Sequence, residues 1–177
     1  MTIFTCSCQD FSIVTNPASI WDSFDRDTQG WKGSAGSITS FRVKGGNPGG
    51  YVLAADDSTG TWYFVAPTRI VSKMKGGYGK IFSFDLEQSA TDYQYDADDI
   101  ILKAGAVTLT YNTAQNPDTT WTSYRVKLDE LSGWKKANEP VSKTDLVYVM
   151  ANLSEVRIRG EFRFGADRCG IDNVSVH

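Results

Sequence analysis

Two acidic positions near opposite ends of the chain carry the chemistry most worth following. Phe24-Asp25-Arg26-Asp27-Thr28-Gln29-Gly30-Trp31 stands near the start and Gly170-Ile171-Asp172-Asn173-Val174-Ser175-Val176 at the end, each setting carboxylates beside an apolar run. If these ends pair as neighbouring strands, Asp25 and Asp172 converge on one hard cation. Calcium takes about six to eight oxygens from carboxylates, backbone carbonyls and water, and segments distant in sequence can supply them where strands meet. The candidate set is Asp25, Asp27, Asn47, Gly50 and Asp172, with the turn over residues 47–50 as its third arm. The competing reading makes the aspartates turn and cap residues with local hydrogen bonds, and the glycines a plain turn.

A second constellation lies on charged, alternating runs. Asp85 and Glu87 occupy one, Arg157, Arg159, Glu161 and Arg163 another, with Arg125 and Lys127 on a third. Were these strands neighbours, the charges would share one sheet surface, either as a ladder of exposed ion pairs worth some tenths of a kcal/mol each or as a ligand groove. Sugars are held by aromatic faces and planar hydrogen-bonding groups. Tyr93, Tyr95, Tyr111 and Trp121 would supply the former beside Arg157, Arg159 and Glu161. The same surface offers Glu87 and Glu161 as a glycosidase pair, but an arginine neighbour keeps a carboxylate ionised, against what a general acid needs. The only histidine is His177, so a Ser-His-Asp triad, a Cys-His dyad and His-rich metal sites are excluded. Asp96-Ala97-Asp98-Asp99 has the acidity of a calcium loop without its sixth-position glycine or twelfth-position glutamate, so it reads as a solvated edge. The expectation is a binding module without catalysis.

These residues need a scaffold, and the dominant period along the chain is two. Lys80 to Gln88 alternates Phe82, Phe84 and Leu86 against Ser83, Asp85 and Glu87. Trp121 to Leu128 sets Thr122, Tyr124, Val126 and Leu128 on the inner side, and Val156 to Phe164 and Gly170 to Val176 close the chain as strands. Shorter β-rich runs at 41–43, 51–55, 61–66, 100–103 and 106–111 are separated by Gly45-Gly46-Asn47-Pro48-Gly49-Gly50, by Asp56-Asp57-Ser58-Thr59-Gly60 and by Ala104-Gly105, which are turn compositions. One helix is predicted over Thr144 to Leu153 behind a Thr144 cap. The pattern predicts an all-β fold, a two-sheet antiparallel β-sandwich with one short helix. Residues 21–177 form its single domain and residues 1–20 an extension or first edge strand.

Composition agrees with that size and class. The 177 residues are 41% hydrophobic and 12% aromatic, enough for one substantial core. A net charge of -3 gives no footprint for nucleic acid. No run approaches the roughly 18 residues that span a bilayer, so a soluble chain without membrane insertion is expected. Met1 to Thr15 has no signal-peptide pattern. Of the three cysteines, Cys6 and Cys8 are too close for an easy mutual bridge, and Cys169 is expected as a buried thiol, with a link to Cys6 or Cys8 as the alternative. Trp31 and Trp62 read as core, Trp134 in a polar loop as exposed.

The ordered motifs resemble a known family. Phe24-Asp25 to Gly30-Trp31, Gly45 to Tyr51, Gly60-Thr61-Trp62-Tyr63-Phe64, Thr119-Thr120-Trp121, Leu153-Ser154-Glu155-Val156-Arg157-Ile158-Arg159-Gly160-Glu161 and Gly170 to Val174 together look like the laminin B domain, or laminin IV type A. That resemblance implies a jelly roll similar to carbohydrate-binding modules, a non-enzymatic role, an extracellular or secreted setting, and a glycan or extracellular protein as partner. Such modules often hold a structural calcium ion at the corner where Asp25 and Asp172 would meet. The EGF-type repeats that flank the domain in matrix proteins do not occur here, which places a stand-alone microbial or secreted relative nearer than a matrix protein.

Overall fold

The structure, a computed structural model, describes residues 20–56 and 60–177. Cys6, Cys8, the N-terminal extension and the middle of the Asp56 to Gly60 turn lie outside these residues. Thirteen strands and two helices occur among the described residues: β1 (Ile20–Asp22), β2 (Lys32–Gly33), β3 (Ile38–Gly46), β4 (Gly49–Asp56), β5 (Tyr63–Val65), α1 (Thr68–Met74), β6 (Ile81–Gln88), β7 (Ile100–Ala104), β8 (Val107–Tyr111), β9 (Thr122–Lys127), β10 (Lys135–Lys136), β11 (Glu139–Pro140), α2 (Lys143–Ala151), β12 (Glu155–Arg159) and β13 (Asp167–Val176).

They form two antiparallel sheets. The first runs β3-β4-β13-β6-β9 with β1 also on β13, and the second runs β11-β10-β8-β7-β12-β5-β2. The long strands obey the period-two rule because each has one wet face: in β9 Tyr124 and Val126 are buried while Ser123, Arg125 and Lys127 are exposed. Between the sheets lie Val52, Ala54, Phe82, Phe84, Leu86 and Ile171 from one side, and Phe64, Ile100, Leu102, Leu109, Val156 and Ile158 from the other, all essentially without solvent contact. Burying such side chains stabilises by about 1.5–3 kcal/mol each. The predicted sandwich is the observed one.

Local differences have identifiable causes. A second helix, α1, follows Pro67, whose fixed φ suits a helix start, and buries Ile70, Val71 and Met74. Helix α2 begins a residue earlier than expected, because the hydroxyl of Ser142, not of Thr144, accepts the Asp145 amide at 3.1 Å. Trp134 is fully buried rather than exposed: its ring packs on Tyr111 with centroids 5.1 Å apart, and its Nε1 donates to Lys127 O at 2.9 Å. The last charged strand ends at Arg159 rather than Phe164, where the Arg159 guanidinium turns inward onto Glu161 O. Cys169 is a buried free thiol, raised well above the usual thiol range by desolvation.

The chain ends do pair. β1 runs antiparallel to the last part of β13, with Ile20 opposite Val176 and Asp22 opposite Val174. The first part of β13 instead pairs with β4, from Asp167 opposite Asp56 to Ile171 opposite Val52. One edge of β13 thus changes partner around Asp172 and Asn173, where its register with β6 also shifts.

Candidate functional site

At that change of partner two carboxylates, Asp172 and Asp85, gather beside the Asn47 turn. Asp172 has no solvent exposure. Its Oδ2 accepts the Asn47 amide at 2.6 Å and its Oδ1 the Asn173 amide at 2.7 Å. Beside it Asp85 Oδ2 accepts from Asn47 Nδ2 at 3.0 Å and Asn173 Nδ2 at 2.7 Å, and Asn173 Nδ2 also donates to Asn47 O. Desolvation pushes the Asp172 carboxyl up to about 6; the two amide hydrogen bonds oppose the shift, and the charges of Asp85 and Asp25 add to it. No lysine or arginine stands among these causes.

Glycines let the surrounding backbone close in. A methyl group on Gly49 would meet Asp25 Oδ1 at 2.9 Å; on Gly46 it would meet Asp172 Oδ2 at 2.7 Å and collide with Gly50 O. On Gly50 it would meet Phe24 O at 2.5 Å and Arg42 O at 2.9 Å. Four of the five predicted metal residues, Asp25, Asn47, Gly50 and Asp172, therefore lie at one corner. Asp27 serves a turn of its own, accepting the Gln29 amide at 2.6 Å. Among the described residues no three His, Cys, Asp or Glu side chains gather as a metal-ligand group, so a cation here would draw much of its shell from carbonyls. Hard oxygens around a buried carboxylate with no basic partner suit calcium.

The predicted ligand residues do not form one groove. Asp85 and Glu87 are on β6 of the first sheet, whereas Arg157 and Arg159 are on β12 of the second, so the charged rows are not neighbours. Arg157 belongs to an ion ladder: its Nε lies 2.6 Å from Glu155 Oε1, which Lys103 approaches at 3.0 Å. Arg159 is wholly buried, donating to Glu161 O, to Ala97 O at 3.3 Å, to Asp99 Oδ1 at 3.4 Å and to Tyr95 O at 2.7 Å. Its guanidinium lies 4.6 Å from the Tyr95 ring centre and 4.5 Å from that of Phe162. This is a structural staple that bends the chain after β12, which is why the strand stops there. Glu161 is 2% exposed with Oε2 unpartnered, and desolvation raises it to about 7. It sits beyond β12 of the second sheet, away from the Glu87 strand. Tyr93 is 76% exposed on a loop, and Tyr111 packs on Trp134.

Trp121 alone of that set reaches the outer face of the first sheet, and it meets residues that the sequence reading left out. Its Nε1 donates to Gly45 O at 2.8 Å, and its ring stands edge-on to Tyr51 at 5.3 Å between centroids. Beneath them is Gly170, where a methyl group would meet Glu87 Cγ at 2.9 Å and Trp121 Cη2 and Tyr51 Cδ2 at 3.0 Å each. The absent side chain lets both rings and the Glu87 stem settle onto the β13 backbone, and beside them lies a cavity of about 310 Å³ lined by Tyr51, Leu53, Glu87, Thr119, Arg168 and Gly170. It adjoins one of about 600 Å³ that shares Ser89 and Arg168 and extends to Ile38 and Arg163. The Tyr51 hydroxyl is raised by desolvation and by Glu87, and lowered by Arg42 and Arg168. Alternation of small and large residues on facing strands was the available signal: Tyr51, Gly170 and Glu87 occupy outward positions of β4, β13 and β6.

A family model described as laminin B (domain IV) matches residues 63–177. Laminin subunit gamma-1 of Danio rerio is 25% identical over 184 residues, covering 97% of this chain and 11% of that protein. For the Homo sapiens subunit the figures are 25% over 169 residues, 89% and 10%. The chain thus spans about a tenth of these relatives. The L4b domain of human laminin alpha-2 superposes with a TM-score of 0.60 at 15% identity, covering 71% of this chain and 77% of that one. A family 11 carbohydrate-binding module from Clostridium thermocellum, in complex with a β-1,3-1,4-mixed-linked tetrasaccharide, gives 0.54 at 12%, covering 89% and 94%. These likenesses show the fold.

Proposed function

Because the chain belongs to the laminin B (domain IV) family, we propose that it is a non-enzymatic, extracellular glycan-binding module of the matrix type, carrying a structural calcium ion. The observation that carries the glycan reading is the trough along Gly170, walled by Tyr51, whose ring Trp121 braces edge-on, with Glu87 and Arg168 at its sides. A ring face above a backbone floor, bordered by groups that both donate and accept, matches the alternating apolar and hydroxyl surfaces of a pyranose. The sugar-bound carbohydrate-binding module of like fold supports the same reading. Of the carboxylates that a glycosidase would need, Glu87 stands on β6 of the first sheet, whereas Glu161 is buried past the end of β12 of the second.

Asp25 and Asp172, with the carbonyls of Phe24 and Gly50, would hold the calcium ion, while Asn47 and Asn173 orient the carboxylates. The ion would neutralise a buried negative cluster and tie β1 to β4 across β13. It supplies stability, not chemistry.

A polysaccharide-binding panel with Tyr51→Ala tests the ligand reading. The parent is expected to be retained on at least one glycan, and the variant to lose about tenfold or more in affinity, as expected for removal of a stacking aromatic. Retention of no glycan by a correctly folded parent overturns the reading in favour of a protein partner.

A further inference from the structure

We propose that the trough on the outer face of the first sheet takes an acidic polysaccharide, whose sugar residues carry carboxylate or sulfate groups. The inference rests on the glycan reading above and adds the charge of the ligand. Outward positions of the sheet follow from the register: Arg42 stands opposite Tyr51, Leu53 opposite Gly170, and Arg168 opposite Ala55. Arg42 and Arg168 thus flank the same aromatic wall, one on β3 and one at the start of β13. Both are exposed, and among the described residues neither guanidinium has a carboxylate partner, whereas Arg69, Arg157, Arg159 and Arg163 each hold one.

The carboxylates of this face are mostly spoken for. Asp172 and Asp85 are buried under amide donors at the corner. Asp167 is 2% exposed and accepts from Ser89 Oγ at 3.1 Å and the Phe162 amide at 3.0 Å. Glu87 stands in the trough, where desolvation disfavours its charged form, so it is suited to accept a sugar hydroxyl. Asp56, half-buried, lines the adjoining cavity with Arg168, while at Tyr51 itself the charges that act are two arginines, Arg42 and Arg168, against the single carboxylate of Glu87, a cationic balance on a chain whose net charge is -3. A guanidinium presents a planar fork that fits a carboxylate or sulfate in two parallel hydrogen bonds. Two such forks beside one ring pair suit successive charged groups on a sugar chain. They are too few for the counterion release that drives nucleic-acid binding.

The full chain, in calcium, should be titrated with polygalacturonate, dextran sulfate, a neutral mixed-linkage β-glucan and single-stranded DNA. The parent is expected to bind polygalacturonate or dextran sulfate at least tenfold more tightly than the neutral glucan, and progressively less tightly as salt rises. Comparing these two polymers identifies carboxylate or sulfate as the preferred group. The double variant Arg42→Gln, Arg168→Gln should melt like the parent, since neither guanidinium makes a bond within the described fold, yet lose about tenfold or more in affinity for the acidic polymer. Binding of the neutral glucan alone, unaffected by the double variant, overturns the acidic inference and leaves the glycan reading standing. Absence of binding to every polysaccharide overturns both. Binding of DNA as tight as that of the acidic polymer, with the same arginine dependence, overturns the assignment to a sugar chain.

Discussion

Chelation of the proposed calcium ion has a sign and a size that the corner geometry sets. Asp172 is fully buried and raised from 3.8 to about 6, chiefly by desolvation. A carboxyl whose folded value exceeds its unfolded value binds protons more readily when folded, so stability falls as pH rises from about 4 through 6 and stays reduced above. At 1.36 kcal/mol per pH unit the penalty is about 3 kcal/mol at most in the metal-free protein. Calcium at a hundredfold excess over its Kd returns about 2.7 kcal/mol, or about 5–11 °C in melting temperature for a chain of this length. The effect should fade toward pH 4.5, since a protonated carboxyl is no ligand. Asp172→Asn sharpens the test: one of its two amide contacts becomes donor against donor, at about 1–3 kcal/mol, which roughly offsets the relief of the buried charge, so without metal at pH 7.5 the variant should melt close to the parent, and calcium should no longer raise its midpoint. Thermal melts with calcium and with EDTA, at both pH values, provide the check. A parent midpoint that calcium leaves unmoved at pH 7.5 refutes the metal site. An Asp172→Asn variant that loses the same stability with and without calcium makes the carboxylate a plain hydrogen-bonding residue instead.

Two further outcomes bear on the second sheet. Arg159→Met should destabilise by about 3–5 kcal/mol, lowering the midpoint by at least about 6 °C, because Asp99 and the carbonyls of Tyr95, Ala97 and Glu161 lose a common donor; a change below about 1 kcal/mol in a urea titration would contradict the staple. Glu161, raised to about 7 mainly by burial, should make the calcium-loaded parent less stable at pH 8 than at pH 5. Glu161→Gln should shrink that difference, and equal pH slopes in urea denaturation would count against it.

The architecture was legible because burial imposes period two on every long strand, and the convergence of Asp25, Asn47, Gly50 and Asp172 followed from the pairing of the ends. Sheet membership was not legible. The rows of β6 and β12 have the same alternation of charge and apolar residues, and nothing local tells a strand which sheet it joins. Arg159 and Glu161 therefore looked like surface charges when one is a core staple and the other a buried acid. Trp134 misled for a related reason: its neighbours Ser132, Gly133, Lys135 and Lys136 are polar, yet a tight turn folds the single indole inward to Lys127 O. The seven residues of α1 are too few to display a helical period among β-branched neighbours.

Gly170 and Asp172 lie two residues apart on the same outward side of β13, the strand that both halves of the first sheet share. One is the floor of the trough and the other the buried carboxylate of the corner. The position between them, Ile171, is locked into the core opposite Val52 and Leu86. A strand held this way cannot tilt at one site without moving the other, so the partner change that creates the corner also fixes the height of the floor beneath Tyr51 and Trp121. The Gly45 to Gly50 segment links the two sites from the other side: Gly45 O receives the Trp121 indole, and two residues on the Asn47 amide caps Asp172. In the proposed reading, stability and recognition thus use different side chains on a common backbone, and the glycines between them are what allow one short segment to serve both.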